Sequence, residues 1–72
     1  MVTIVIETDN AAFRDQTGDN HRYVQALEVA RILEALTTKI RDYPEAACGA
    51  TYPLLDINGN RVGMFKMDVP ED

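Results

Sequence analysis

A chain of 72 residues, 46% apolar, with twelve acidic and seven basic side chains and a formal net charge of −5, reads as one small globular domain over residues 1–72. The apolar share excludes a disordered polyelectrolyte. The acidic balance disfavours direct nucleic-acid binding, where lysine and arginine must displace counterions along the phosphates. A single cysteine, Cys48, excludes an internal disulfide and a multi-thiolate metal site, and so points to a reducing cytoplasm. The opening residues Met1 to Glu7 lack the basic region and apolar length of a signal peptide. No apolar run nears the ~20 residues of a membrane span.

Residues Val2 to Thr8 alternate, with Val2, Ile4 and Ile6 on one face and Thr3, Val5 and Glu7 on the other, which predicts a half-buried strand. Asp9 and Asn10 end it, because their side chains bond to nearby backbone and favour turns. Ala11, Ala12 and Phe13 suit a short turn whose Phe13 plugs the edge of the core. Asp15 to Asn20 then reads as an exposed loop. Its oxygens at Asp15, Thr17 and Asp19 superficially suggest a calcium loop. However, its glycine is at the wrong position, and Ala26 stands where the bidentate Glu is needed.

Asp19 or Asn20 can cap the next element. At about 100° per residue, Ala26, Val29, Ile32, Leu33, Leu36 and Ile40 gather on one face, flanked by Ala30 and Tyr43. Glu28, Arg31, Glu34, Thr38, Lys39, Arg41 and Asp42 fall mostly opposite. Pro44 terminates the helix, since it drives the preceding residue out of the helical region. The expectation is one helix of about 21–23 residues. Val24 and Leu27 lie outside the main stripe; they either cover the Phe13 turn or form an apolar patch for a partner. The small-residue segment Glu45 to Ala50 reads as a connector, with Cys48 as a small buried filler.

Asn58-Gly59 lies between two apolar runs and accepts the positive φ of a tight hairpin. A two-residue turn there would set Ile57 opposite Asn60, Asp56 opposite Arg61 and Leu55 opposite Val62. Leu55, Ile57, Val62 and Met64 would share one face, and Tyr52, Leu54, Phe65 and Met67 the other. A longer turn or a bulge would shift this register by one and exchange the faces. The metal reading of Asp56 to Asn60 fails on position counting, as it did for the first loop. The tail Val69 to Asp72 is expected to fray. The order strand, helix, strand, strand then predicts an α+β domain. Its architecture is a two-layer βαββ fold, a three-stranded antiparallel sheet ordered 1-3-2 with the helix on one face.

No catalytic constellation stands out. His21 and Cys48 are the only residues of their kinds and lie in separate segments, and no carboxylate spacing singles out a pair. The glycines are too scattered for a phosphate loop. The reading is no enzyme, no cofactor and no metal. The acidic balance is compatible with binding to a basic protein surface; the alternative is that the charge serves solubility alone, as in many small domains without a basic partner. Glu7, Asp9, Asp15 and Asp19 are the clustered acids to test, followed by Asp68, Glu71 and Asp72. Val24, Leu27, Tyr52 and Phe65 are the apolar candidates for such a contact.

Three short blocks occur in order: Glu7-Thr-Asp-Asn-Ala-Ala-Phe13, Leu27-Glu-Val-Ala-Arg-Ile-Leu33 and Leu55-Asp-Ile-Asn-Gly-Asn-Arg-Val-Gly63. Together they resemble a group of very short bacteriophage and prophage proteins, mostly without assigned function. The blocks span about a third of the chain. The sequence departs from the group in the Gly18 to Gln25 stretch and in the tail. The resemblance implies a phage accessory protein in the host bacterial cytoplasm, and it carries no catalytic residues across. Its implied partner is a bacterial host protein or defence complex, inhibited by occupation of a binding surface as in inhibitors of CRISPR interference. The alternative is a self-associating structural or regulatory protein, a homodimer formed through the open sheet face or the Val24/Leu27 flank.

Overall fold

The computed structural model describes residues 1–71; Asp72, part of the tail expected to fray, lies outside the described residues. Strand β1 is Val2–Ile6, followed by a 3-10 turn at Ala11–Phe13, helix α1 at His21–Asp42, a single helical turn α2 at Pro44–Ala47, and strands β2 (Thr51–Leu55) and β3 (Arg61–Met67). The sheet is antiparallel and ordered β1-β3-β2, so the last strand is central, as the element order predicts. Such an arrangement needs only one helical crossover on one face.

Each boundary has a local cause. Beyond β1, the Asn10 side-chain carbonyl accepts a 3.0 Å bond from the Ala12 amide and opens the 3-10 turn. That turn drives Phe13 into the core, where it is fully buried. Pro44 does end α1, and its fixed φ also starts α2 at the first helical position. The connector is therefore helical at its start. Within it Ala47 is buried and Cys48 is exposed, the reverse of the expected role for Cys48. Gly49 explains this: its φ of +83° turns the chain into β2 just after Cys48, and a small neighbour is required against Val69.

The core consists of Phe13, Ile32, Leu36, Leu54, Val62 and Phe65, with Ile6, Val29, Ile40, Tyr52 and Met67 packed around it. From α1 it takes Ile32 and Leu36, one turn apart, and the same row continues back to Glu28, which is also buried. Glu28 thus belongs to the inner face and not to the solvent face that its charge predicted. Ala26 and Ala30 are exposed, and Leu33 is just over a third exposed.

The hairpin turn is one residue longer than expected. Asp56 and Asn60 close it through a 2.9 Å bond from the Asp56 amide to the Asn60 carbonyl, leaving Ile57, Asn58 and Gly59 in the loop. Gly59 takes the positive φ, at +84°. A second irregularity follows at Leu54/Leu55: Leu54 pairs with Gly63 and Leu55 with Arg61, so Val62 is the extra residue of a bulge. The two shifts cancel. From Leu54 to Thr51 the register is the one the shorter turn predicts, with Tyr52 opposite Phe65. Tyr52, Leu54, Phe65 and Met67 therefore face the helix. Val62 joins them through the bulge instead of pointing away with Met64. Leu55 and Ile57 are left exposed.

Helix α1 does not cover the sheet evenly. Ile4 of β1 lies opposite Phe65 on the helix side, yet Ile4 is 45% exposed while Phe65 is 0%. Arg31, Ala35 and Lys39 of α1 line a groove with β2. The depression on the other flank of the helix, with Val29 and Leu33, is lined by α1 residues alone and includes none from β1.

Candidate protein-binding surface

Two buried carboxylates organise one end of the molecule. Glu28 is 6% exposed and Asp56 is 4% exposed. Arg31 donates to Glu28 from Nε (2.5 Å) and from Nη2 (3.4 Å), and the Ile57 amide donates to Glu28 Oε2 at 2.8 Å. The same Arg31 donates from Nη2 to the Leu55 carbonyl at 3.0 Å, so helix and hairpin are joined twice. Asp56 holds the turn from inside. Its Oδ1 accepts from the Asn58 and Asn60 amides, each at 2.9 Å. Its Oδ2 accepts from Asn60 Nδ2 at 3.2 Å and from Asn10 Nδ2 at 2.7 Å. The cross-strand pairing of Asp56 with Arg61 expected from the shorter turn gives way to these four bonds, because the longer loop turns Asp56 inward.

This arrangement has no free acid or base. Burial alone would raise the Asp56 pKa. The bonds from Asn60, Asn10 and Asn58 outweigh it and hold the carboxyl below its ordinary value, so it stays ionised at neutral pH. Both carboxylates have their oxygens committed to backbone and side-chain donors, and among the described residues no buried side-chain polar atom lacks a partner. The described residues also contain no group of three or more His, Cys, Asp or Glu placed to hold a metal ion. The Asp56-Ile-Asn-Gly-Asn60 segment is a structural clamp.

What the clamp displays is apolar. Ile57, held by Glu28 through its amide, turns its side chain outward and is 68% exposed. Val24 and Leu27 of α1 line a shallow depression with Ile57, Ala12, Glu28 and Arg31. Leu27 is 53% exposed and Val24 half-buried. Tyr23, at 59% exposure, adjoins Leu27 one helical turn away. Ile57 was missed as a candidate, although the signal existed. An isoleucine inside a tight turn has nothing in its own hairpin to pack against.

The acids predicted for this role do different things. Glu7, Asp9 and Asp19 are exposed, while Asp15 is half-buried and engaged. Thr17 donates to Asp15 Oδ1 from its hydroxyl (2.7 Å) and its amide (2.9 Å), and the Asn20 amide donates to Oδ2 at 2.9 Å. The Thr17 hydroxyl bond is the largest cause holding the Asp15 pKa below its ordinary value. Asp15 therefore shapes the approach to α1, where Asn20 is the N-cap residue but bonds no helix amide through its side chain. Asp9 uses its carbonyl to accept from Arg14 Nε at 3.4 Å.

The two aromatic candidates are inside. Phe65 is completely buried and cannot meet a partner, because the restored register turns it toward the helix. Tyr52 stacks on Phe65 at 5.5 Å between centroids, and Lys39 Nζ sits 4.0 Å above the Tyr52 ring. Tyr52 is thus a half-buried part of the core that lines the groove with Arg31 and Lys39 and takes no part in the depression that holds Leu27. Compared with known proteins, the chain matches no family model, no curated protein and no solved structure. No helix among the described residues is long and apolar enough to cross a membrane.

Proposed function

We propose that this protein is a non-enzymatic binding module that docks on a basic surface of a bacterial host protein through the Val24, Leu27 and Ile57 patch. The observation that carries the reading is Ile57, an isoleucine two-thirds exposed on a loop immobilised from below by two buried carboxylates. Apolar side chains on a rigid base lose little entropy on binding, which is how anchor residues of interfaces act. The net charge of −5 supplies long-range attraction to a basic partner, with exposed Glu7, Asp9 and Asp19 as contributors. The resemblance to short phage proteins gives the setting: the host bacterial cytoplasm, with the target a defence complex that is blocked by occupation in the manner of a CRISPR-interference inhibitor.

The test pairs binding with biology. Wild type and a Leu27→Asp/Ile57→Asp variant are used to capture partners from host lysate. Phage plating is then compared on hosts with and without CRISPR interference. The expected outcome is a host protein captured by wild type alone, with improved plating on the defended host that the variant loses. Equal capture by both proteins would remove the patch from the reading. Unchanged plating would remove the inhibitor role.

A further inference from the structure

We infer that strand β1 is a self-association edge, pairing antiparallel with β1 of a second copy about a twofold axis at Ile4. The Glu7 amide donates to the Val62 carbonyl at 2.7 Å, and the Asp68 amide donates to the Met1 carbonyl at 3.1 Å. Backbone groups alternate sides along a strand, so Met1, Thr3, Val5 and Glu7 bond to β3. The N–H and C=O groups of Val2, Ile4 and Ile6 therefore point outward along the free edge.

The two edges of the sheet differ in protection. The outward-pointing residues of β2 are Thr51, Pro53 and Leu55, since the Ala50 carbonyl and the Asp56 amide bond inward to β3 and its turn. Pro53 has no N–H to offer, and the Leu55 carbonyl accepts from Arg31. That edge is blunted. The β1 edge, Val-Thr-Ile-Val-Ile, has no proline, no charge and no bulge.

A second copy fits this edge by its own symmetry. With the axis at Ile4, Val2 faces the partner's Ile6, Ile4 faces the partner's Ile4, and every free N–H and C=O of these residues finds a partner. Their side chains all lie on the helix side, where Val2 is 51% and Ile4 45% exposed. Each copy carries its helix toward β2, so the space above the new β1 pair is open to receive these side chains. No like charges are placed opposite within the paired strands, although each copy carries −5 overall. An acidic partner of this charge would be repelled elsewhere on the surface; here it meets an uncharged strip. The contact buries on the order of 800 Å² in total, below the ~1,200 Å² at which stable specific interfaces begin, so the dimer is a weak and reversible one held by its strand pairing.

The experiment is sedimentation equilibrium of the whole chain from about 10 μM to about 1 mM, with amide hydrogen exchange followed by NMR over the same range. The mass is expected to rise from 8.1 kDa toward twice that value. Raising the salt should tighten association, because it screens the repulsion between two acidic chains. Exchange at the Val2, Ile4 and Ile6 amides should slow with concentration, while Thr3 and Val5, already bonded to β3, stay constant. Ile4→Lys and Val2→Lys, each checked for a native amide spectrum, should weaken association by about 50-fold or more by setting charge on the edge. A mass of 8.1 kDa at the highest concentration overturns the inference. So does a dimer that forms without slowing exchange at Val2, Ile4 and Ile6. A patch variant such as Leu27→Asp should dimerise as wild type does, so this inference and the proposed function fail separately.

Discussion

Replacing Gly63 by alanine should be the most damaging single-methyl change in this protein. A Cβ at Gly63 would lie 1.7 Å from the Val5 carbonyl oxygen and 2.7 Å from its carbon, both backbone atoms of the neighbouring strand. Rotation of a side chain cannot relieve this contact, because the obstacle is the β1 backbone. The strands must separate by about 1.5 Å, or the bulge at Val62 must rebuild, and overpacking of this kind costs about 3 kcal/mol or somewhat more. A domain of this length has roughly 4–11 kcal/mol in total, so Gly63→Ala removes about a quarter of it or more. Urea or thermal unfolding reads this directly, and the shift expected in Tm is on the order of 15 °C. Gly18→Ala is the internal control: its φ is +81°, but nothing lies within 4 Å of the added methyl, so only about 1–2 kcal/mol of backbone strain is expected. If Gly63→Ala costs no more than Gly18→Ala, the close approach of β3 to β1 is not what this glycine serves.

Further outcomes follow from the buried carboxylates and the exposed thiol. Glu28→Ala strands the Ile57 amide and Arg31 and should cost about 3 kcal/mol in chemical unfolding, with Glu28→Gln costing less because it keeps an acceptor for Ile57. Asp56 and Asp15 both have pKa values held below the ordinary 3.8. Such groups add stability that is fully present above the unfolded value and lost as pH falls through the folded one. Unfolding midpoints should therefore stay level near neutrality and drop below about pH 4. Asp56→Asn should lower the plateau and flatten the acid limb; an unchanged acid limb would refute its role. Cys48 should react with an aromatic disulfide reagent in the native state without denaturant, whereas protection until unfolding would contradict its exposure.

The sheet order, the long helix and the Phe13 plug were legible because each rests on a local pattern: alternation in Val2 to Ile6, the Ile32/Leu36 spacing, and a lone aromatic beside turn residues. Glu28 was not legible. Its charge assigns it to solvent, and its burial depends on the Ile57 amide, nearly thirty positions away, needing an acceptor. The hairpin was half legible. Asn58-Gly59 satisfies both a two-residue and a three-residue turn, and only the bulge at Val62, which lets Leu54 meet Gly63, decides the outcome. Asp56-Ile-Asn-Gly-Asn-Arg-Val-Gly63 thus proves dense in structural duty: an internal clamp at Asp56, a positive φ at Gly59, a bulge at Val62 and a contact without Cβ at Gly63. The surface was least legible, since Leu27 and Ile57 share a depression only after helix and turn have been locked together.

The central place of β3 has a consequence for synthesis. β1 ends at Ile6, and β3, its one strand partner among the described residues of the same chain, begins at Arg61. At ~5–20 residues per second, the ribosome adds the intervening segment in roughly 3–10 s. Throughout that interval an uncharged Val-Thr-Ile-Val-Ile stretch has no strand to pair with, and α1 alone cannot satisfy its backbone. The nascent chain is therefore most exposed to misassembly before its last strand arrives. Expression at high rates, where many such chains coexist, should select for chaperones that shelter the first seven residues.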